Sequence, residues 1–195
     1  MQAHVFTARL KADDKTHRDI IETASALTER FQARLGEIKA DSRYTAEGRK
    51  SEARELLSGG IGEHLNQLKA TVENEAGVLA AHRAQLVLPP IDKTDVLGEI
   101  QRAEVRTWLR SLPESERLTA ALSTEDKSIR DAIINAPAPL SGLNADIYNK
   151  VKANAIEVLH GPKMAASDVA GETLSLVKAA IQVANNEMIR MVEDI

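Results

Sequence analysis

Two apolar tracts with helical spacing, one on each side of Gly59-Gly60, constrain the fold of this chain more than any other feature. In both tracts the apolar residues recur at steps of three and four, which places them on one face of a helix. Such a face has to be covered by another helix. The seam residues that we assign to these faces are Leu27, Phe31, Leu35, Ile38, Leu65, Leu68, Val72 and Leu79. The tracts therefore predict a pair of long, packed helices.

Composition extends this prediction to the whole chain. Of the 195 residues, 43% are hydrophobic but only 3% are aromatic. A core of Leu, Ile, Val and Ala suits helix packing better than a β-sandwich or barrel, so we predict an all-α fold. Breaks in the helical pattern divide the chain into three parts. These are a mobile N-terminal arm at 1–12, a helical hairpin or coiled-coil arm at 13–88 and a compact bundle of about five helices at 92–195. Pro89-Pro90 separates the last two.

The pairing of the two tracts has two solutions. They can fold back as an antiparallel hairpin around Gly59-Gly60, each covering the stripe of the other. Alternatively, they can extend and bury their stripes against a second copy of the chain. Intramolecular and intermolecular seams use the same spacing, so both solutions stay open, with a slight preference for the hairpin. Oligomerisation is expected in either case.

Local signals predict the helix boundaries of the second half. Ser123 stands three residues before Asp126, the spacing of a capping box at the start of a helix. Gly161-Pro162 has the order of a helix C-terminus, glycine followed by proline. We therefore expect one helix to end at Gly161 and a separate final helix to follow.

Trp108 is the only tryptophan of the chain. It shares one side of a predicted helix over 92–112 with Val96 and Ile100. The favoured interpretation makes Trp108 a core anchor of the second domain. The alternative places it with Arg106 and Arg110 at an interface, because Trp and Arg are typical of binding hot spots.

No residue set adds up to an active site. Glu157 and His160 match one Glu-x-x-His unit of a di-iron bundle, but the second unit that such a site needs is missing. Because His160 directly precedes Gly161-Pro162, it is better explained by the dipole at a helix C-terminus. The chain has no cysteine and no glycine-rich phosphate loop. We predict no catalytic residues, no cofactor and no metal, and hence no enzyme.

The charge balance bears on partners. With 25 basic and 29 acidic residues, the net charge is −4, which argues against nucleic acid as a partner. No apolar stretch approaches the ~20 residues of a membrane span, and the first residues lack the pattern of a signal peptide. We expect a cytoplasmic protein without a membrane partner that binds other proteins as a homo-oligomer or within a larger assembly.

Three short motifs lie within 99–160, about a third of the chain. They read Glu104-Val-Arg106-x-Trp-Leu-Arg110-Ser-Leu112-Pro-x-x-Glu116-Arg117, then Ala132-Ile133-x-Asn135-Ala136-Pro137, then Leu140-Ser-Gly-Leu143. In these motifs the chain resembles uncharacterised helical proteins of tailed bacteriophages and proteobacterial prophages. The resemblance implies a part in virion assembly or structure, in the host cytoplasm or the virion, and no family active site. The competing hypothesis is a bacterial regulatory adaptor, a monomeric helical bundle that binds one partner protein.

Overall fold

Both apolar tracts form long helices in a computed structural model, which describes residues 3–123 and 126–195. The α-helices are, in chain order, α1 Ala3–Thr7, α2 Lys15–Ala40, α3 Ala46–Ser58, α4 Gly60–Ala84, α5 Val96–Ser111, α6 Glu114–Leu122, α7 Lys127–Ile134 and α8 Ala145–Glu193. A 3-10 helix, Ala138–Ser141, precedes α8. The structure is 81% helical and has no strand among the residues it describes, which confirms the all-α prediction. Within the same residues, no helix combines the length and the apolarity that crossing a membrane requires.

The chain divides into two units. Unit 1 comprises the described part of Met1–His82 together with Ala166–Ile195, and unit 2 is Arg83–Ala165. The sequence prediction placed the whole of 92–195 in one bundle, and here the structure differs. The C-terminal part of α8 carries a third apolar stripe, and this stripe is buried in the core of unit 1. Its spacing is the same as that of the other two stripes, so spacing alone does not reveal which stripes share a core.

The core of unit 1 is formed mainly by α2, α4 and the C-terminal part of α8, and Ala53 of α3 is also buried in it. Phe31 of α2, Val72 of α4 and Met188 of α8 are all 0% exposed. The stripes of both tracts are therefore covered within the chain. The hairpin hypothesis assigned this packing to two helices, and in the structure α8 contributes as well.

The start of the chain also differs from the prediction of a mobile arm at 1–12. Residues 3–7 form α1, and Leu10 is buried in the core of unit 1 while Phe6 packs against it. The segment shows no helical period because α1 has only five residues. Three apolar side chains, those of Ala3, Phe6 and Leu10, nevertheless dock it on the core.

The predicted capping box at Ser123 is wrong. The N-cap of α7 is Asp126, whose side chain accepts the backbone N–H groups of Ser128 at 2.8 Å and Ile129 at 3.3 Å. Ser123 instead ends α6, with its N–H donating to the carbonyl of Thr119 at 2.9 Å. Aspartate and serine are equally good N-caps. Asp126, which the prediction made the second member of the capping box, is therefore itself the N-cap.

The predicted helix end at Gly161-Pro162 is also wrong, because α8 continues through Pro162. A proline inside a helix leaves the carbonyl four residues earlier, that of Val158, without its usual partner. The helix tolerates this loss because apolar residues are buried on both sides of it, up to Ala155 and again from Leu174 onwards. No residue of 156–173 is buried, so the proline lies in a part of α8 that is open to water.

Candidate functional site

The arm seam predicted from sequence lies inside unit 1. Seven of its eight residues belong to or pack against one hydrophobic core, and Ile38 is half-buried outside it. The buried members are Leu27, Phe31, Leu35, Leu65 and Val72, and the partly buried ones are Leu68 and Leu79. In this chain these side chains hold α2 and α4 in place, and exposed apolar surface has to be sought elsewhere.

Unit 2 offers such a surface on α5. The inner side of this helix is anchored by Leu109, which is 0% exposed and belongs to a core with Ile133 and Val151. That core fixes which side of α5 faces the protein and which faces solvent.

Arg106 strengthens this anchor. Its residue exposure is 5%, and its Nη1 donates to the carbonyl oxygen of Ala132 on α7 at 3.0 Å. Its Nη2 pairs with Glu99 at 2.5 Å, and Arg102 donates to the same carboxylate at 3.0 Å. These hydrogen bonds, first from Arg106 and then from Arg102, hold the pKa of Glu99 below its usual range. Arg106 thus points inward, away from any partner surface.

Arg110 and Arg117 act in the same way on the segment around the 3-10 helix. Arg110 donates to the carbonyl of Leu140, and Arg117 donates to that of Gly142 at 2.7 Å. Gly142 has a φ of 69°, and a Cβ there would lie 2.5 Å from Nη1 of Arg117. The arginines of the first phage-like motif therefore bind backbone carbonyls of the second and third motifs, which gives all three motifs a structural role.

Trp108 lies on the outer side of α5 and is 46% exposed, so its interpretation as a core anchor is wrong. Its sequence neighbour Leu109 fills that role. The interface alternative fails in one respect, because Arg106 does not accompany Trp108. Both sides of α5 carry apolar residues, and periodicity alone gave no reason to choose the side of Leu109.

We call the exposed side of this helix the α5 face. Its residues line a shallow, open depression of about 540 Å³ and are Ile100, Ala103, Glu104, Thr107, Trp108 and Ser111. Val96 and Leu97, at the start of the helix, are 67% and 69% exposed and add apolar surface nearby. Glu104 is the one charged residue among the six that line the depression. The surface of the α5 face is thus mainly apolar, with the negative charge of Glu104 and the hydroxyl groups of Thr107 and Ser111.

A second concave surface of unit 2 was missed by the sequence analysis, which treated Pro89-Pro90 only as a separator. It has a volume of about 510 Å³ and is lined by apolar residues from the connector between α4 and α5, from α7 and from α8, together with charged residues of both signs. Its apolar residues include Leu88, Pro89, Pro90, Ile91, Ile134, Val158 and Leu159. His160 holds the connector beside α8, with Nε2 donating to the carbonyl of Val87 at 2.9 Å. Because α8 does not end there, the interpretation of His160 through a helix-terminal dipole is wrong.

The chemistry of the α5 face suits contact with apolar side chains of another protein. Among the residues that the structure describes, no three His, Asp or Glu side chains are arranged to hold a metal ion. Comparison with known protein families, curated proteins and solved structures finds no match to this chain. Its function is therefore inferred from its own residues.

Proposed function

We propose that this chain is a non-enzymatic helical protein that works by binding other protein chains, and that the α5 face is its binding surface. The observation that carries the proposal is the exposure of the only tryptophan, 46%, beside Ile100 at 54%. A tryptophan and a large aliphatic residue on one open helix face are typical of the centre of an interface. Their burial by a partner removes apolar surface from water, which favours association.

The binding mechanism that fits this face is reversible packing of a partner helix. The inner side of α5 is fixed by Leu109 and by the hydrogen bond from Arg106 to Ala132. The face is consequently preorganised, and little conformational entropy is lost on binding. Glu104 favours partners that carry a lysine or arginine opposite it, since charge complementarity contributes mainly to specificity.

For the class of assembly, the resemblance of 99–160 to helical phage and prophage proteins supports virion assembly or structure, with other copies of this chain among the partners. The three motif arginines and their carbonyl acceptors give that segment a defined scaffold. In this proposal the scaffold serves to present the α5 face. Protein identification in purified particles from cells that encode the chain tests the assignment, which predicts the chain among the virion or procapsid proteins.

Self-association is tested by light-scattering mass across a concentration series of the purified chain. We expect the wild-type mass to rise above that of one chain, and Ile100→Glu to remain a single chain because it places a charge in the apolar face. Val183→Glu is the matched control, since Val183 is a comparably exposed residue, 42%, on α8. Thermal unfolding of both variants should match the wild type. A mass that rises equally in Ile100→Glu would show that the α5 face is not the binding surface.

One observation favours the alternative of a monomeric adaptor that binds a single different protein. The stripes at 13–88 are covered within the chain, with Phe31 and Val72 both 0% exposed, so no second copy is needed to bury them. A single-chain mass for the wild type at every concentration would favour this alternative.

A further inference from the structure

His17 occupies an unusual position between two carboxylates. It lies in the first turn of α2, and its Nδ1 is 2.8 Å from Oδ1 and 2.9 Å from Oδ2 of Asp14. On the other side of the ring, Nε2 is 3.0 Å from Oε2 of Glu75, which belongs to α4 and is 58 residues away in sequence. The His17 side chain is 19% exposed. The ring therefore links the start of α2 to a different helix of unit 1.

The geometry favours the protonated state of the ring. An ionised carboxylate only accepts hydrogen bonds, so both ring nitrogens have to donate, and only the imidazolium carries two N–H groups. Burial lowers the pKa of His17, but the hydrogen bonds to Asp14 and Glu75 and the charges of these two residues outweigh it and raise the pKa above 6.5. The charged groups that face the ring are Asp14, from the segment before α2, and Glu75, from α4.

The two contacts differ in what they hold. Asp14 is the N-cap of α2, and its carboxylate also accepts the backbone N–H of His17 at 3.3 Å, so this contact is local to the helix end. Glu75 provides the tertiary contact. A neutral imidazole has one N–H, and we infer that it stays with Asp14, because both oxygens of that carboxylate lie near Nδ1, at 2.8 and 2.9 Å. The other nitrogen then presents a lone pair to the Glu75 carboxylate, which is repulsive.

We propose that His17 is a proton-dependent clamp that joins the start of α2 to α4 while its ring is protonated and releases Glu75 when the proton leaves. Because the folded pKa lies above the unfolded value of about 6.5, the stabilisation is fully present below that pH. It is lost as the pH rises through the folded pKa. Leu10 lies shortly before Asp14 and is buried in the core of unit 1. The clamp therefore also helps to keep the segment before α2 on this core. The clamp lies in unit 1 and does not depend on the proposed role of the α5 face in unit 2.

The test is an NMR titration of the His17 ring in the full chain, with the wild type, Glu75→Gln and Glu73→Gln. Glu73 is the matched control because it lies on the same helix, is 57% exposed and pairs only loosely with Lys69, at 3.9 Å. We expect the wild-type midpoint to lie above 6.5, to fall in Glu75→Gln and to stay unchanged in Glu73→Gln. A wild-type midpoint at or below 6.5, or the same midpoint in all three proteins, would overturn the proposal.

The pH dependence of thermal stability provides a second test of the clamp. The melting temperature of the wild type should decline as the pH rises through the His17 midpoint, while that of Glu75→Gln should change less over the same range. Equal declines in both proteins would show that the contact with Glu75 does not carry the pH dependence. Because Glu75 is 37% exposed, we expect this variant to fold.

Discussion

Arg106 shows at the scale of one residue how unit 2 is held together. Its acceptor, Ala132, lies in the last turn of α7, where helix carbonyls have no partner within the helix. The guanidinium satisfies this carbonyl and at the same time pairs with Glu99. A sequence cannot reveal this role, because an arginine between apolar positions is equally compatible with an exposed interface.

Replacement of Arg106 by methionine tests that role. Met fills part of the same volume but donates no hydrogen bond, so the buried carbonyl of Ala132 loses its partner. We expect the free energy of unfolding of the protein to fall by about 2–3 kcal/mol, measured by urea denaturation. Lys127→Met is the control, since Lys127 is 79% exposed in its pair with Asp131 and should cost no more than about 1 kcal/mol. Equal losses in the two variants would contradict a structural role for Arg106.

At the scale of the helices, the sequence predicts mainly which segments are helical and which of their sides are apolar. The two tracts around Gly59-Gly60 became α2 and α4 because apolar spacing of three and four is a strong signal over 25 or more residues. Helix ends were less predictable, since both Ser123 and Asp126 can cap a helix. The partner of each stripe was not predictable at all, and the third stripe, in α8, was assigned to the wrong unit.

The junction of α3 and α4 gives a prediction at this scale. Gly59 alone separates the two helices, yet the glycine that the packing requires is Gly62, where a Cβ would lie 1.8 Å from the carbonyl oxygen of Leu57. Gly62→Ala forces the backbone apart and should lower the free energy of unfolding of the protein by about 1–3 kcal/mol. At Gly60, a Cβ would meet nothing within 4 Å, so Gly60→Ala should be neutral or slightly stabilising. Denaturant unfolding of both variants checks the pair, and a loss of equal size at Gly60 would refute the steric argument.

Pro162 gives a second prediction for an element. Pro162→Ala restores an N–H toward the carbonyl of Val158 and removes the ring clash, so α8 should gain up to about 3 kcal/mol. Amide hydrogen exchange over 156–173 should slow, and thermal stability should rise. Pro113→Ala is the control, because Pro113 precedes α6 and its missing N–H breaks no helical bond. Unchanged exchange in Pro162→Ala would mean that the proline does not limit the stability of α8.

At the scale of the whole molecule, the sequence predicted an all-α chain with its stripes buried between helices, and the structure confirms the fold class. It did not predict which apolar residues stay exposed. Trp108 and Leu109 are neighbours on one helix, and only the packing of α5 on the rest of unit 2 decides that Leu109 is buried and Trp108 half-exposed. As a result, Trp108, the predicted core anchor, lies outside the core, and the α5 face is exposed to solvent.

The proposal that the α5 face binds the partner is tested most directly by the fluorescence of Trp108, the only tryptophan in the chain. We would record its emission and its quenching by acrylamide over the concentrations at which the light-scattering mass rises. In dilute protein the indole should emit as a half-exposed group. As the mass rises, the emission should shift to shorter wavelength and become less quenchable, because a partner chain covers the ring. Emission and quenching that stay constant while the mass rises would place the association on another surface and contradict the proposed function of this face.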